Sequence, residues 1–257
     1  MSEPRPTDTS SLLARLEGVT ATELVLSGRR QLSPSLIEVV LSGEVKDLAG
    51  QPGNDLMLAV PVVGGDGSFR RRYTMRSVDP ERGELVLWID STAGGPGSRW
   101  AAGAPLGSTI EALGPRGKVV LDQLADWHLF IGDTSFLSAA YAMAGAIEPP
   151  GQALFVFELE DPADEITPAL DESIGVTALF IGRSGRAGDD PAGLLAGLGA
   201  LELPEDEGAV YVGGELRVVA AIKSALKERG IADSAIHAKP YWRLGVANQA
   251  HGEPDKS

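Results

Sequence analysis

Apolar and polar positions alternate in short runs over the first half of the chain and merge into longer apolar blocks over the second. From about residue 32 to 120 the runs SLIEVVLSG, DLMLAVPVV, RRYTMRSV, GELVLWID, STIEALG and KVVL follow one another. Turn signals separate them, among them Gly-Asp-Gly at 65–67 and Asp-Pro-Glu-Arg-Gly at 79–83. Alternation between turns is the mark of half-buried strands. Six or so such strands predict a small closed antiparallel barrel, because closure removes exposed edges. From residue 127 the pattern changes. WHLFIGD, ALFVFELE, VTALFIG and AVYVGG are continuous apolar runs, as expected of parallel strands buried on both faces. TSFLSAAYAMAGAI, DPAGLLAGLGAL and ELRVVAAIKSALKERG read as helices. In the last, Leu216, Val219, Ile222 and Leu226 share one face, and Gly230 stands where a helix end needs a left-handed residue. Strand and helix in alternation predict a doubly wound parallel sheet. The expected division is a barrel domain at 11–124 and an α/β domain at 125–245. A disordered start at 1–10 and a flexible tail at 246–257 complete it.

Composition narrows the function classes. The chain has 257 residues, enough for two cores, and no cysteine, which excludes disulfides, thiolate-held clusters and a cysteine nucleophile. A formal net charge of −14 argues against nucleic acid and anionic membrane as partners, since both call for a basic surface. No run approaches the roughly 20 apolar residues of a membrane span, and the start MSEPRPTDTS lacks a signal-peptide core. The expectation is a cytoplasmic monomer without stable membrane association. An acidic chain that binds an anionic ligand has to gather its few cations locally. His128, His237 and His251 lack metal-ligand spacing and read as structural or tail residues. The carboxylates of DPADE (161–165) and LPEDE (203–207) read as solvated loops.

Two motifs carry candidate chemistry. The first is RRYTMR at 71–76, on an expected strand whose alternation sets Arg71 and Tyr73 on one face and Thr74 with Arg76 on the other. A flavin dinucleotide needs a cation for its pyrophosphate, a flat aromatic for its ring and a hydroxyl near N5. Arg-x-Tyr-Thr supplies these within four residues. The same charges would also suit an edge strand guarded against aggregation. The second motif, GGPGSRWAA at 94–102, reads as a glycine-rich turn opening a short helix, with Ser98 as N-cap or phosphate ligand. A weaker candidate is Arg183, Ser184 and Arg186 after VTALFIG, where cations could read the 2′-phosphate of NADP or simply form a solvated loop.

With GPRG at 114–117, GD at 132–133, FELEDPADE at 157–165, VTALFIGR at 176–183, VYVGGE at 210–215 and YWRLG at 241–245, these motifs resemble the siderophore-interacting family. Its members are FAD-dependent ferric-siderophore reductases within the ferredoxin-reductase-like group. The resemblance runs from about residue 32 to 245. It implies an N-terminal antiparallel FAD-binding β-barrel followed by a doubly wound parallel-sheet NAD(P)-binding domain. It also implies that Arg71 contacts the FAD phosphate, Tyr73 packs on the flavin and Thr74 approaches N5, the last two as catalytic positioning residues. Gly97 and Ser98 would bind the pyrophosphate, with Asp90, Gly95 and Trp100 as further cofactor contacts. Asp133, Thr134, Ser135, Gly213, Gly214 and Glu215 would line the nicotinamide side, with Arg183 and Arg186 toward its far end. Arg76, Lys239 and Arg243 would attract the substrate. The chain departs from the family pattern at 89–93, IDSTA, where a histidine is usual. It departs again at 132–138, GDTSFLS, where Gly-Asp-Glu-Thr with a following proline is favoured.

The implied reaction takes a hydride from NADPH or NADH to FAD, then single electrons to ferric iron in a siderophore. Release follows because hard oxygen chelators hold ferrous iron weakly. Two other readings stay open: a reductase of this fold acting on free flavin, ferredoxin or another acceptor, and a non-enzymatic siderophore-binding protein.

Overall fold

The computed structural model describes residues 21–62, 67–167 and 169–246. The expected disordered start at 1–10, part of the Gly-Asp-Gly turn and the tail from 247 onward lie outside the described residues. Six strands close a barrel: β1 (Thr22–Gln31), β2 (Leu36–Gly43), β3 (Asp55–Pro61), β4 (Ser68–Asp79), β5 (Glu84–Asp90) and β6 (Thr109–Arg116). They run antiparallel in the order β1-β2-β5-β4-β3-β6, and β6 returns to β1 with Thr22 opposite Ala112. Alternation places Leu24, Leu26, Leu85, Leu87 and Ile89 in the interior, as a barrel of this size requires.

The six strands are not the six expected. β1 precedes the first expected run, because Gly28, Arg29 and Arg30 and a register shift after Leu26 break its alternation. KVVL is no strand. It runs without regular secondary structure, with the Leu121 N–H bonded to the carbonyl of Pro52 and its side chain buried in the core of the second half. β4 is also irregular. Its register against β5 skips between Met75 and Ser77, so strict alternation ends at Arg76.

A short helix, α1 (Pro96–Gly103), follows β5 and closes one side of the barrel, with Trp100 and Ala101 in its core. The second half is a five-stranded parallel sheet: β7 (Trp127–Asp133), β8 (Gly151–Leu159), β9 (Ile174–Gly182), β10 (Gly208–Glu215) and β11 (Ile236–Trp242), in the order β11-β10-β7-β8-β9. Helices α2 (Leu137–Ala144), α3 (Ala192–Ala200) and α4 (Leu216–Glu228) pack on it. In α4 the buried face is Val218, Val219, Ile222 and Leu226, with Val218 in the place expected for Leu216. Gly230 (φ 86°) ends that helix: its N–H bonds to Lys227 O and the N–H of Ile231 to Leu226 O.

The expectation that every apolar run is buried on both faces fails at β9. Only Ile174 is buried there, and 175–178 are exposed. Among the described residues, the connection from β8 to β9 holds a single 3-10 turn (Pro162–Asp164) and no α-helix to pack over the start of this edge strand.

The halves are joined by an apolar contact flanked by hydrogen bonds and an ion pair. Leu36 of β2 and Trp88 of β5 enter the core of the second half, with Trp88 edge-on to Tyr141 at 5.8 Å. Within DPADE, Asp161 and Glu165 are exposed as a solvated loop would have them, and Asp164 departs from that reading. It is fully buried and accepts from Ser33 Oγ (2.6 Å) and the Ser35 N–H (2.8 Å) of the barrel. Asp55, 1 % exposed, takes a two-pronged bond from Arg72 (2.7 and 2.9 Å) and an ion pair from Lys239 of β11.

Candidate functional site

Several of the expected residues converge on one end of the barrel. Arg71 and Tyr73 project from β4 toward the start of α1, whose N-cap is Gly95 with Pro96 in its first turn. The Tyr73 hydroxyl occupies the place a Cβ on Gly97 would take, and Arg71 Cγ lies beside it. Only glycine permits so close an approach. The first bond inside α1 runs from Arg99 N–H to Gly95 O (3.0 Å), so the Gly97 and Ser98 N–H groups precede it without an intrahelical acceptor. The Ser98 hydroxyl caps nothing. It donates to the Asp90 carbonyl (2.6 Å), while the Asp90 carboxylate holds Thr92. Burial lowers the Arg71 pKa; Tyr73 opposes this and the neighbouring Arg99 adds to it. Two guanidinium groups beside a helix N-terminus suit a diphosphate, and Arg99 is the member of this cluster that sequence reasoning left out. Burial also holds the Tyr73 phenol far above its ordinary range, so it stays neutral. Trp100, expected as a cofactor contact, is turned into the barrel core, 5 % exposed.

Thr74 marks where the two halves meet. Its hydroxyl lies 3.3 Å from the Tyr241 hydroxyl of β11, and its carbonyl accepts from Ser138 of α2 (3.3 Å). Arg76 points elsewhere, over the Trp88 ring at 5.1 Å and beside Tyr141, so it packs in the domain junction. Lys239 is likewise engaged. Its ammonium pairs with Asp55 and lies 5.3 Å from the Tyr241 ring centre; burial lowers its pKa and Asp55 opposes that. Arg243 is exposed, in a turn closed by Val246 N–H to Arg243 O (3.1 Å).

Between the halves opens a cleft of about 320 Å³, lined by Ser35, Asp90 and Thr92 of the barrel and by Asp133, Thr134, Ser135, Glu160, Arg183 and Trp242 of the sheet. It lies at the carboxyl ends of parallel strands, where open α/β sheets bind ligands. Asp133 is its hub. One oxygen accepts from the Ser135 N–H (2.9 Å) and hydroxyl (2.5 Å), the other from the Glu215 N–H (3.1 Å) and Trp242 Nε1 (2.9 Å). Burial pushes the Asp133 pKa up against these hydrogen bonds from Ser135 and Trp242. Gly214 (φ 131°) packs directly on this carboxylate and Gly213 on the Phe136 ring, where side chains would collide. Glu215 caps α4 through the Arg217 (2.5 Å) and Val218 (3.2 Å) N–H groups and accepts from the Leu244 N–H (3.2 Å). The GD and VGGE turns thus pin the C-terminal segment across the sheet end. Arg183 and Arg186 are held from below. Glu158 takes Arg183 Nε (3.0 Å) and Arg186 Nη2 (2.7 Å), and Glu160 takes Arg183 Nη1 (2.8 Å).

A closed six-stranded antiparallel barrel beside a parallel sheet with helices packed on it defines the ferredoxin-reductase-like architecture of FAD- and NAD-binding proteins. The siderophore-interacting FAD-binding domain matches residues 56–119 and the siderophore-interacting protein family matches 125–245. The chain is 28% identical over 252 residues to the ferric vibriobactin reductase ViuB of Vibrio cholerae, covering 88% of this chain and 90% of that one. A siderophore utilization protein from T. fusca superimposes with a TM-score of 0.79 at 28% identity, over 91% of this chain and 96% of that one. The siderophore-interacting protein SipS of Aeromonas hydrophila shares the fold, with a TM-score of 0.74 at 22% identity over 89% and 94% of the two chains. The chain belongs to the siderophore-interacting protein family and is a flavin-dependent oxidoreductase.

Among the described residues no helix is long and apolar enough to cross a membrane, and no group of three or more His, Asp or Glu side chains could hold a metal ion.

Proposed function

We propose that this protein is a ferric-siderophore reductase that takes electrons from a reduced nicotinamide and delivers them through FAD. The observation that carries this reading is that β4 sets Arg71 and Tyr73 against Gly97 of α1, while its next residue, Thr74, meets Tyr241 of the second half. The cradle fits a dinucleotide flavin. Arg71, Arg99 and the first turn of α1 would hold the diphosphate, and the neutral Tyr73 would pack on the cofactor. When bound, FAD supplies the chemistry that accepts two electrons together and releases them singly. The protein's own part is positional. Thr74 offers a hydroxyl at the junction, Tyr241 holds it in place, and the Asp133 hub keeps Trp242 and the chain end over the cleft. The nicotinamide dinucleotide would lie along the turn at 133–135. The ferric chelate is substrate. With Lys239 paired to Asp55 and Arg76 packed on Trp88, the exposed Arg243 is the expected residue to draw an anionic chelate toward the mouth.

Steady-state turnover with NADH, a ferric siderophore and a chromogenic ferrous trap tests the reading. Ferrous product at a rate that depends on enzyme and donor supports it. Flavin-loaded protein that turns over other acceptors but no ferric chelate would overturn it.

A further inference from the structure

The arginines that follow β9 could have read a 2′-phosphate, and the geometry points the other way. Arg183 and Arg186 both bond to Glu158, whose side chain is 4 % exposed. The pairing is built into the fold: Gly193 stands in the first turn of α3, and a Cβ there would collide with Glu158 Oε1 and the Arg186 guanidinium. Drawing either arginine onto a phosphate would weaken the pairing of a buried carboxylate, which is strongly unfavourable. Arg183 carries a second acid, Glu160, at 2.8 Å, and the Glu160 side chain is 58 % exposed on the cleft wall. The cleft therefore presents Asp90, Asp133 and Glu160 against one guanidinium that is already doubly paired.

Topology gives these acids a place. With β7 as first strand, β8 is the second in the doubly wound order, and Glu158 and Glu160 stand at its carboxyl end. A carboxylate there accepts from the adenosine ribose 2′-hydroxyl, and it repels a 2′-phosphate at the same position. We propose that Glu158 and Glu160 make this chain select a dinucleotide with free adenosine ribose hydroxyls, NADH, over its 2′-phosphorylated counterpart, NADPH. Glu158 is a positioning residue that withholds the arginines, and Glu160 is the specificity-determining residue that faces the ligand. The proposal rests on the nicotinamide reading above.

Fragments without the nicotinamide separate binding from turnover. Flavin-loaded protein is titrated calorimetrically with ADP-ribose and with 2′-phospho-ADP-ribose, for wild type, Glu160→Gln and Glu160→Lys. Glu160 is exposed, so both variants are expected to fold, which a thermal melt checks. Wild type is expected to bind ADP-ribose about tenfold more tightly; Glu160→Gln narrows the ratio and Glu160→Lys brings it to one or inverts it. Equal or tighter binding of the 2′-phosphorylated fragment to wild type overturns the selection. A ratio unmoved by Glu160→Lys overturns the assignment to Glu160. If neither fragment binds, the nicotinamide reading falls, and this proposal with it.

Discussion

The hydroxyl of Tyr241, near the end of the last strand, stands 3.3 Å from the hydroxyl of Thr74 on the barrel. This contact ties the last strand to the residue expected nearest the flavin N5. Removing either hydroxyl, by Thr74→Val or Tyr241→Phe, is expected to leave flavin content intact. A neutral hydrogen bond contributes about 0.5–1.5 kcal/mol, so reduction by NADH should slow roughly 2- to 13-fold. Anaerobic stopped-flow measurement of flavin bleaching checks this; unchanged rates in both variants would remove Thr74 from the site.

The cradle makes a separate prediction about affinity. Arg71→Ala should weaken flavin binding by about 1.5–3 kcal/mol, the range of a charge-assisted bond to phosphate, with Arg99→Ala acting in the same direction. Gly97→Ala should also lower occupancy, because the new methyl displaces the Tyr73 hydroxyl. Flavin-to-protein absorbance ratios of the purified variants give the answer.

Asp55 pairs with both Arg72 and Lys239. Asp55→Ala leaves two part-buried cations facing each other and should cost about 3–5 kcal/mol of stability. Adding Lys239→Met should recover part of that loss. Urea unfolding midpoints of the single and double variants measure it, and additive losses would show that the two residues are not coupled.

Arg243→Ala should raise the KM for an anionic ferric siderophore several-fold, while flavin reduction by NADH stays as in wild type. The wild-type KM should rise with salt, since the attraction is screened beyond a Debye length of ~8 Å.

His128 predicts an acid limit. It is 2 % exposed, stacks near Phe130 and Tyr211, and burial pushes its pKa down to about 4, with Asp122 opposing. The unfolded chain therefore takes up the proton first on acidification. The stability contributed by the neutral ring is complete above about pH 6.5 and is lost as pH falls toward 4, by roughly 3 kcal/mol at most. His128→Phe should flatten this part of the profile in urea titrations at several pH values.

Much of the fold was legible because the two periodicities are clean where both faces of an element have a fixed environment. Leu85, Leu87 and Ile89 announce an inward strand face, and the run at 127–133 announces a central parallel strand. The misreadings arose where tertiary context overrode local pattern. VTALFIG looks fully buried, yet the described residues of its crossover form no α-helix to bury it. β1 is disguised by a bulge and two arginines. At the site, Arg71, Tyr73 and Gly97 were legible as types the chemistry needs, and the structure brings them together. The partners of Lys239, Arg183 and Asp164 were not. Each lies far away in sequence (Asp55, Glu158 and Ser33), and spacing along the chain carries no sign of a pairing made across a domain boundary or between strands.

The reading as a whole turns on one anaerobic titration. Purified protein is expected to show the absorbance of oxidised FAD, to bleach on addition of one equivalent of NADH, and to regain its colour on addition of two equivalents of ferric siderophore, with ferrous iron released. Folded protein that carries no flavin, or flavin that NADH bleaches and ferric siderophore fails to reoxidise, would contradict it.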